Sequence, residues 1–309
     1  MTEGRARLRR AFGKNCLATA AGLAIVTIVA ITVAAPYLPI ADPDTVDTPS
    51  RLRPPLSAGH VLGTDEFGRD LLSRLIWGGR VSLVAGAGAA GAAMLAGVGL
   101  GIVAGYYTGW VSSVIMRLTD ILMAFPYILL AIAIVAGLGP GLRNAMVAIA
   151  IVGFPIYTRL ARGVVLQIRA REFVEAAHAL GSPDHRILFR HVLPHLYSPI
   201  IVAFSLDVGA KILATSGLSF LGLGTQPPTA DWGSMLATGR QFVILRPHVV
   251  LLPGLAIFAM VLALNLVGDA LRDLLDPRTR AAQRRAHHSR TKNARGGRVA
   301  RRGPGGWVR

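Results

Sequence analysis

Arg171 to Leu196 reads REFVEAAHALGSPDHRILFRHVLPHL, a polar stretch between two apolar runs. Glu172 to Leu180 contains no strong helix breaker, and Gly181 suits the left-handed conformation in which helices commonly end. Ser182 is placed to cap a second helix, with Pro183 at its first position and Asp184 favourable to its dipole. Ile187, Leu188, Val192 and Leu193 make an apolar stripe, which Pro194 is expected to end. The spacing predicts two short helices with a sharp corner, projecting from whatever the flanking runs build. His178, His185, His191 and His195 are separated by 7, 6 and 4 residues, and Pro194 interrupts the one i,i+4 pair, so they read as polar surface rather than metal ligands.

The flanking chain is apolar. Of 309 residues 52% are hydrophobic and 16% charged, and the mean hydropathy is +0.51, a balance foreign to water-soluble domains. Apolar runs near the ~20 residues that cross a hydrocarbon core recur at 17–38, 81–105, 114–137, 143–162, 197–221 and 248–268. The chain therefore reads as an all-α integral membrane protein with six transmembrane helices. The first run exceeds the ~7 to 15 apolar residues of a signal peptide, which favours an uncleaved anchor.

With both termini in the cytoplasm, inside segments hold 24 of the 33 Lys and Arg residues, as the positive-inside rule requires. That topology also accounts for the formal charge of +17 without nucleic acid. The Arg-rich tail 281–309 lacks apolar periodicity and reads as a disordered segment near anionic lipid. The single cysteine, Cys16, excludes an internal disulfide.

The organisation expected is a tail at 1–16, the first helix at 17–38, an external segment at 39–80, a five-helix core at 81–268 with a polar loop at 164–196, and a basic tail at 269–309. In the external segment Thr64 is placed to cap an amphipathic helix bearing Phe67, Leu71, Leu72, Leu75 and Ile76 on one face; it either lies on the membrane surface or simply connects. Ala85, Ala89, Ala93, Gly97, Gly101 and Gly105 fall four residues apart, a stripe that lets helices approach closely in lipid. Arg117 and Asp120 are spaced to pair, and Pro126 should kink its helix. Asp207 and Lys211 are four apart within a span, where each charge costs ~2.5 to 3.5 kcal/mol on insertion scales. They are expected to face the protein interior, as a structural pair or in contact with a solute. Ser216 to Gly233, SGLSFLGLGTQPPTADWG, is a Gly-rich exit from the fifth span that suits a pore mouth.

The sequence contains no HExxH, no zinc-binding cysteine pair and no GxxxxGK[ST] loop, so this chain is not expected to hydrolyse ATP itself. Gly217-Leu218-Ser219 begins like a serine nucleophile turn, but Leu221 stands where GxSxG requires Gly, leaving an intramembrane serine protease with His248 as a distant alternative.

Glu175-Ala176-Ala177, Gly181 and Leu193-Pro194 together resemble the EAA loop of the permease subunits of bacterial ATP-binding-cassette (ABC) importers. LGTDEFGRDLLSRLIWGGRVSL at 62–83, LSFLGLGTQPPTADWG at 218–233 and GDALRDLLDPRTR at 268–280 resemble the C-type subunit of the oligopeptide/dipeptide branch. The resemblance implies a type I ABC importer permease fold in a bacterial plasma (inner) membrane. It also implies a second homologous permease subunit, two ATP-binding subunits that use ATP and Mg, and an extracytoplasmic solute-binding protein. Glu172, Glu175, Ala176, Ala177, Leu180 and Gly181 would then dock on an ATPase subunit. Asp207, Lys211, Ser219 and Phe220 are the pore candidates, and no cofactor or metal is implied for this chain. The solute implied is a di- or oligopeptide, with nickel or another metal chelate as the alternative. His191, His195, Ala214 and Thr215 depart from the commonest family pattern.

Overall fold

The computed structural model describes residues 16–275. The expectations for residues 1–15 and for the basic tail 281–309 lie outside them. Ten α-helices are described: α1 (Cys16–Ala34), α2 (Leu71–Tyr106), α3 (Trp110–Met123), α4 (Tyr127–Leu138), α5 (Leu142–Arg169), α6 (Glu172–Ala179), α7 (Asp184–Ile187), α8 (Leu193–Phe220), α9 (Trp232–Gly239) and α10 (His248–Leu275). Among these residues no strand forms; only two isolated bridges occur, Ser57 with His60 and Thr64 with Asp70.

Five helical stretches are long and apolar enough to cross a membrane, and α3 with α4 makes up to six. That pair is bent by 96° at a break ending in Pro126. Pro126 lacks an N–H and has ψ of 125°, so the backbone leaves the helical region there and restarts at Tyr127. The kink foreseen at Pro126 is thus a full corner.

α2 is the centre of the bundle and packs chiefly on α5, with α8 beside it. The whole stripe from Ala85 to Gly105 is buried. A Cβ added at Gly97 would lie 2.6 Å from Tyr157 Cβ, and one at Gly101 would lie 2.6 Å from the Thr158 carbonyl oxygen. Glycine is therefore required for the two backbones to run this close. Three apolar clusters are ranged through the bundle. One joins α2, α4, α5 and α8 around Ile149, Val152 and Leu218; another joins α2, α5, α6 and the start of α8 around Val165, Val174 and Leu196; the third joins α2, α8, α9 and α10 around Ile212, Trp232 and Met260.

Two boundaries differ from the sequence expectation. The amphipathic helix anticipated from Thr64 is absent: residues 64–70 fold as a turn, and Asp70 caps the helix that starts at Leu71 and runs unbroken into the span expected at 81. Asp70 accepts the Ser73 N–H at 2.8 Å, while Thr64 turns inward and donates to the Ser50 carbonyl. Similarly, Ser182 does not cap α7 and Pro194 does not end a helix. The chain is helical from Asp184 to Phe220 because Leu188 to Val192 form a π-turn, in which the Leu193 N–H reaches the Leu188 carbonyl. This wider turn brings in Pro194 at the first turn of α8, where a missing N–H costs little.

Close packing of α2 on α5 predicts that Gly97→Val destabilises the protein by about 1 to 3 kcal/mol through overpacking. Gly99→Val, where an added Cβ meets nothing within 4 Å, should change stability by less than about 0.5 kcal/mol. Thermal unfolding of the purified variants in detergent separates these outcomes.

Candidate functional site

The polar stretch folds as α6, a corner and α7. α5 ends at Arg169, and the extended Arg171 is the N-cap position of α6. Gly181 has φ of +74°, the left-handed conformation that reverses the chain. Its N–H donates to the His178 carbonyl at 2.9 Å, and the Ser182 N–H donates to the Ala177 carbonyl at 3.0 Å, which closes the end of α6.

Two side chains clamp this unit to the bundle. Val174 and Ile187 are completely buried against Tyr106, Val165 and Ile168. The Tyr106 hydroxyl donates to Asp184 Oδ1 at 2.7 Å, and Arg169 Nη1 donates to the Tyr106 carbonyl at 2.8 Å. With the inner face fixed, Glu172, Glu175, Ala176 and Gly181 are left exposed, and Leu180 is 86% exposed. Ala177 is half-buried. The histidines pack on rings: His191 and His195 lie 5.9 and 6.3 Å from Phe173, and His178 lies 6.5 Å from Tyr106.

A second polar assembly sits within the bundle. Lys211 Nζ lies 3.4 Å from Asp207 Oδ1 and donates to the Tyr127 hydroxyl at 3.0 Å; the Tyr157 hydroxyl donates to Asp207 Oδ2 at 3.0 Å. Lys211 is almost fully buried, and its ammonium occupies the space that a Cβ on Gly153 would need. Each charge thus has an opposite charge and a hydroxyl as partners, the condition under which an ion pair persists away from water. The sequence pointed to Asp207 and Lys211 but not to Tyr127, Tyr157 or Gly153. Two tyrosine hydroxyls in otherwise apolar helices were the available signal.

Other polar groups are structural. Asp120 pairs with Arg159 on α5 at 2.6 Å rather than with Arg117, and Arg162 Nε donates to Ser112 at 3.2 Å, so α3 is tied to α5. Ser219 is buried, and its Oγ accepts the Thr225 N–H at 3.2 Å, closing the turn after α8. This accounts for the serine without catalysis. Phe220, partly exposed, lies under the Arg240 guanidinium at 5.7 Å.

The stretch from 62 to 83 is a buried ionic knot. Asp65 accepts from the Phe67 and Arg69 N–H groups and from Arg69 Nε, the last at 2.7 Å, while Arg74 Nε approaches it to 3.3 Å. Arg74 also donates to the Pro43 carbonyl at 2.9 Å, joining the 38–70 segment to α2. Trp232 completes this end: its N–H donates to Ser82 Oγ and its indole to the Leu75 carbonyl, and Asp231 with Ser234 forms a capping box for α9.

A bundle of long apolar helices around a paired charge, with an exposed polar corner at one end, is the build of a multi-span membrane permease. Residues 97–281, more than half of the chain, match the family described as binding-protein-dependent transport system inner membrane component, and the chain belongs to that family. It is 46% identical over 272 residues to the glutathione transport system permease protein GsiD of Pectobacterium atrosepticum, covering 88% of this chain and 90% of that one. It is also 46% identical over 268 residues to the dipeptide transport system permease protein DppC of Alkalihalophilus pseudofirmus, covering 87% and 88%. Among solved structures, a chain of the MetNI methionine ABC transporter aligns with a TM-score of 0.55 at 15% identity, over 67% of this chain and 98% of that chain, which supports the fold. The chain is a multi-pass permease component of an ABC transporter, not an enzyme.

The ion pair supplies a direct test. Asp207→Asn is expected to cost about 3 kcal/mol, because it leaves the almost fully buried Lys211 with only the Tyr127 hydroxyl, and Lys211→Met less, because Asp207 is partly exposed and keeps the Tyr157 hydroxyl. The double variant should recover most of that loss in thermal unfolding; additive losses would show that the pairing contributes nothing.

Proposed function

We propose that this chain is the permease subunit of an importer of short peptides, worked by ATP hydrolysis on partner subunits through the corner between α6 and α7. The observation that carries the reading is the exposure of Glu172, Glu175, Ala176, Leu180 and Gly181 on a unit clamped from behind by Val174 and Ile187. A rigid projection with small residues at its tip fits a cleft in an ATPase subunit and transmits displacement instead of absorbing it. Glu175 is free to meet a basic group there.

Peptide import is favoured over a metal chelate because the two relatives above are named for glutathione and dipeptide transport, and glutathione is itself a tripeptide. Two ATPase subunits using ATP and Mg, a second homologous permease subunit and an extracytoplasmic solute-binding protein complete the assembly. The excess of Lys and Arg on one side supports cytoplasmic termini and, with them, a cytoplasmic α6–α7 corner in a bacterial plasma membrane. The knot around Asp65 then lies on the side from which solute arrives. The pore is assigned to the side of α8 bearing Asp207 and Lys211, with Ser219 and Phe220 at its outer end.

Gly181→Asp, or a bulky Ala177→Trp, is expected to abolish solute-stimulated ATP hydrolysis by the assembled complex while membrane insertion stays intact. Stimulation equal to that of the unaltered protein would overturn the reading. Removing residues 281–309 is expected to leave peptide uptake largely unchanged, since these residues carry none of the proposed docking or pore positions; complete loss of uptake would overturn that expectation.

A further inference from the structure

Where α2 ends beside α5, a polar hollow opens that neither the pore nor the exposed corner uses. Tyr106, Tyr107, Thr108, Arg169, His178 and Asp184 line it, and its volume is about 270 Å³. That is just under the ~300 Å³ at which pockets for drug-sized ligands begin, so it suits a smaller molecule.

Two opposite charges line the hollow without meeting. Arg169 Nη1 donates to the Tyr106 carbonyl at 2.8 Å and to Thr108 Oγ1 at 3.4 Å, and among the described residues no carboxylate pairs with this guanidinium. Asp184 is exposed and accepts the Tyr106 hydroxyl at 2.7 Å. A carboxylate has about four acceptor sites, so this bond leaves it capacity for a further donor. Tyr106 spaces the charges: its carbonyl holds Arg169 and its hydroxyl holds Asp184, about the length of one tyrosine apart. Two extended residues cover a similar ~7 Å. The Tyr106 and Tyr107 rings meet edge to face at 5.2 Å, and the His178 ring lies 6.5 Å from Tyr106, which gives the hollow aromatic walls. An inorganic anion would leave Asp184 facing it, and a simple amine would leave Arg169. A ligand with both charges answers both groups.

We propose that this hollow binds a dipeptide by its free termini, the carboxylate on Arg169 and Thr108 and the ammonium on Asp184. Bound there, the peptide bridges α5 to α7 across the end of α2 and braces the corner against the bundle. The binding stands on the geometry of the hollow; its effect on ATP hydrolysis rests on the coupling reading above.

The test uses the complete complex in detergent without the solute-binding protein, with labelled dialanine followed by equilibrium dialysis. N-acetyl-dialanine and dialanine amide each lack one terminal charge and should bind about tenfold or more weakly. Asp184→Asn keeps an acceptor for the Tyr106 hydroxyl but not the charge, so it should bind dialanine and its N-acetyl form alike. Arg169→Gln should likewise bind dialanine and its amide alike. Because each comparison is between ligands on one protein, a general loss of stability does not imitate it. Preference for the free ammonium that persists in Asp184→Asn places dialanine elsewhere, the pore included, and overturns the proposal, as does the absence of dialanine binding. O-phosphoethanolamine bound more tightly than dialanine assigns the site to a lipid headgroup and overturns the peptide assignment. With the binding protein then added and saturated by dialanine, a further excess should slow ATP hydrolysis about twofold or more in the unaltered complex but not in Asp184→Asn. Binding without this slowing, with Gly181→Asp still uncoupled, overturns the brace. Normal coupling in Gly181→Asp overturns the coupling reading instead and leaves the binding site standing.

Discussion

Gly97, Gly101 and Gly105 let the backbone of α2 run against α5, and the other helices take their places from that contact. In lipid there is little hydrophobic gain from pressing one apolar helix on another, so close approach and the dispersion contacts it permits must hold the bundle. The same economy of side chain recurs where α8 joins. Gly86 on α2 lies under Ile212, and Gly153 on α5 opens the space that Lys211 fills. A single charged side chain is thereby admitted to the interior at a point prepared by the absence of another.

Two ionic assemblies serve different parts of the molecule. The knot of Asp65, Arg69 and Arg74 ties an irregular loop to the start of α2, where backbone carbonyls at Ala41 and Pro43 need donors and receive them from Ser73 and Arg74. The set of Asp207, Lys211, Tyr127 and Tyr157 ties α8 to α4 and α5 in the middle of the bundle. The tyrosine from α4 matters because α4 is reached across the sharp break at Pro126. Its position is fixed by the packing of Ala131 and Val135 in the core with α5 and by the hydroxyl that meets Lys211.

Much of the fold was legible because its signals are local. Apolar runs located the long helices, the four-residue stripe identified the buried face of α2, and Gly181 marked a reversal that its positive φ bears out. The misreadings came where distant partners decide. Thr64, Asp65 and Glu66 form a plausible helix start when read alone, but Arg69, Arg74 and the Ser50 carbonyl draw these residues into a turn, and Asp70 becomes the cap. Asp120 had Arg117 three residues away, yet Arg159 on another helix takes it. Pro194 looked like a stop because its missing N–H breaks an α-helical ladder; a π-turn just before it removes that conflict. In the interior, sequence reached the two charges and missed their tyrosines, since a hydroxyl's partner is set by tertiary contact.

Continuity from Asp184 to Phe220 has a mechanical meaning. Thirty-seven helical residues make a rod of ~55 Å at 1.5 Å per residue, well beyond the ~30 Å of a hydrocarbon core. Its weakest joints, the π-turn at Leu188 to Val192 and Pro199, both lie toward the Asp184 end. From Ile200 onward no proline interrupts the ladder, so Asp207, Lys211 and Ser219 share one stiff shaft. Bending is therefore confined near the Asp184 end, and a tilt of only ~5° about that end would sweep the far tip through ~5 Å. Such a shaft delivers rotation to its distal end with little loss, and the torque it carries is set by how firmly its two soft joints are braced.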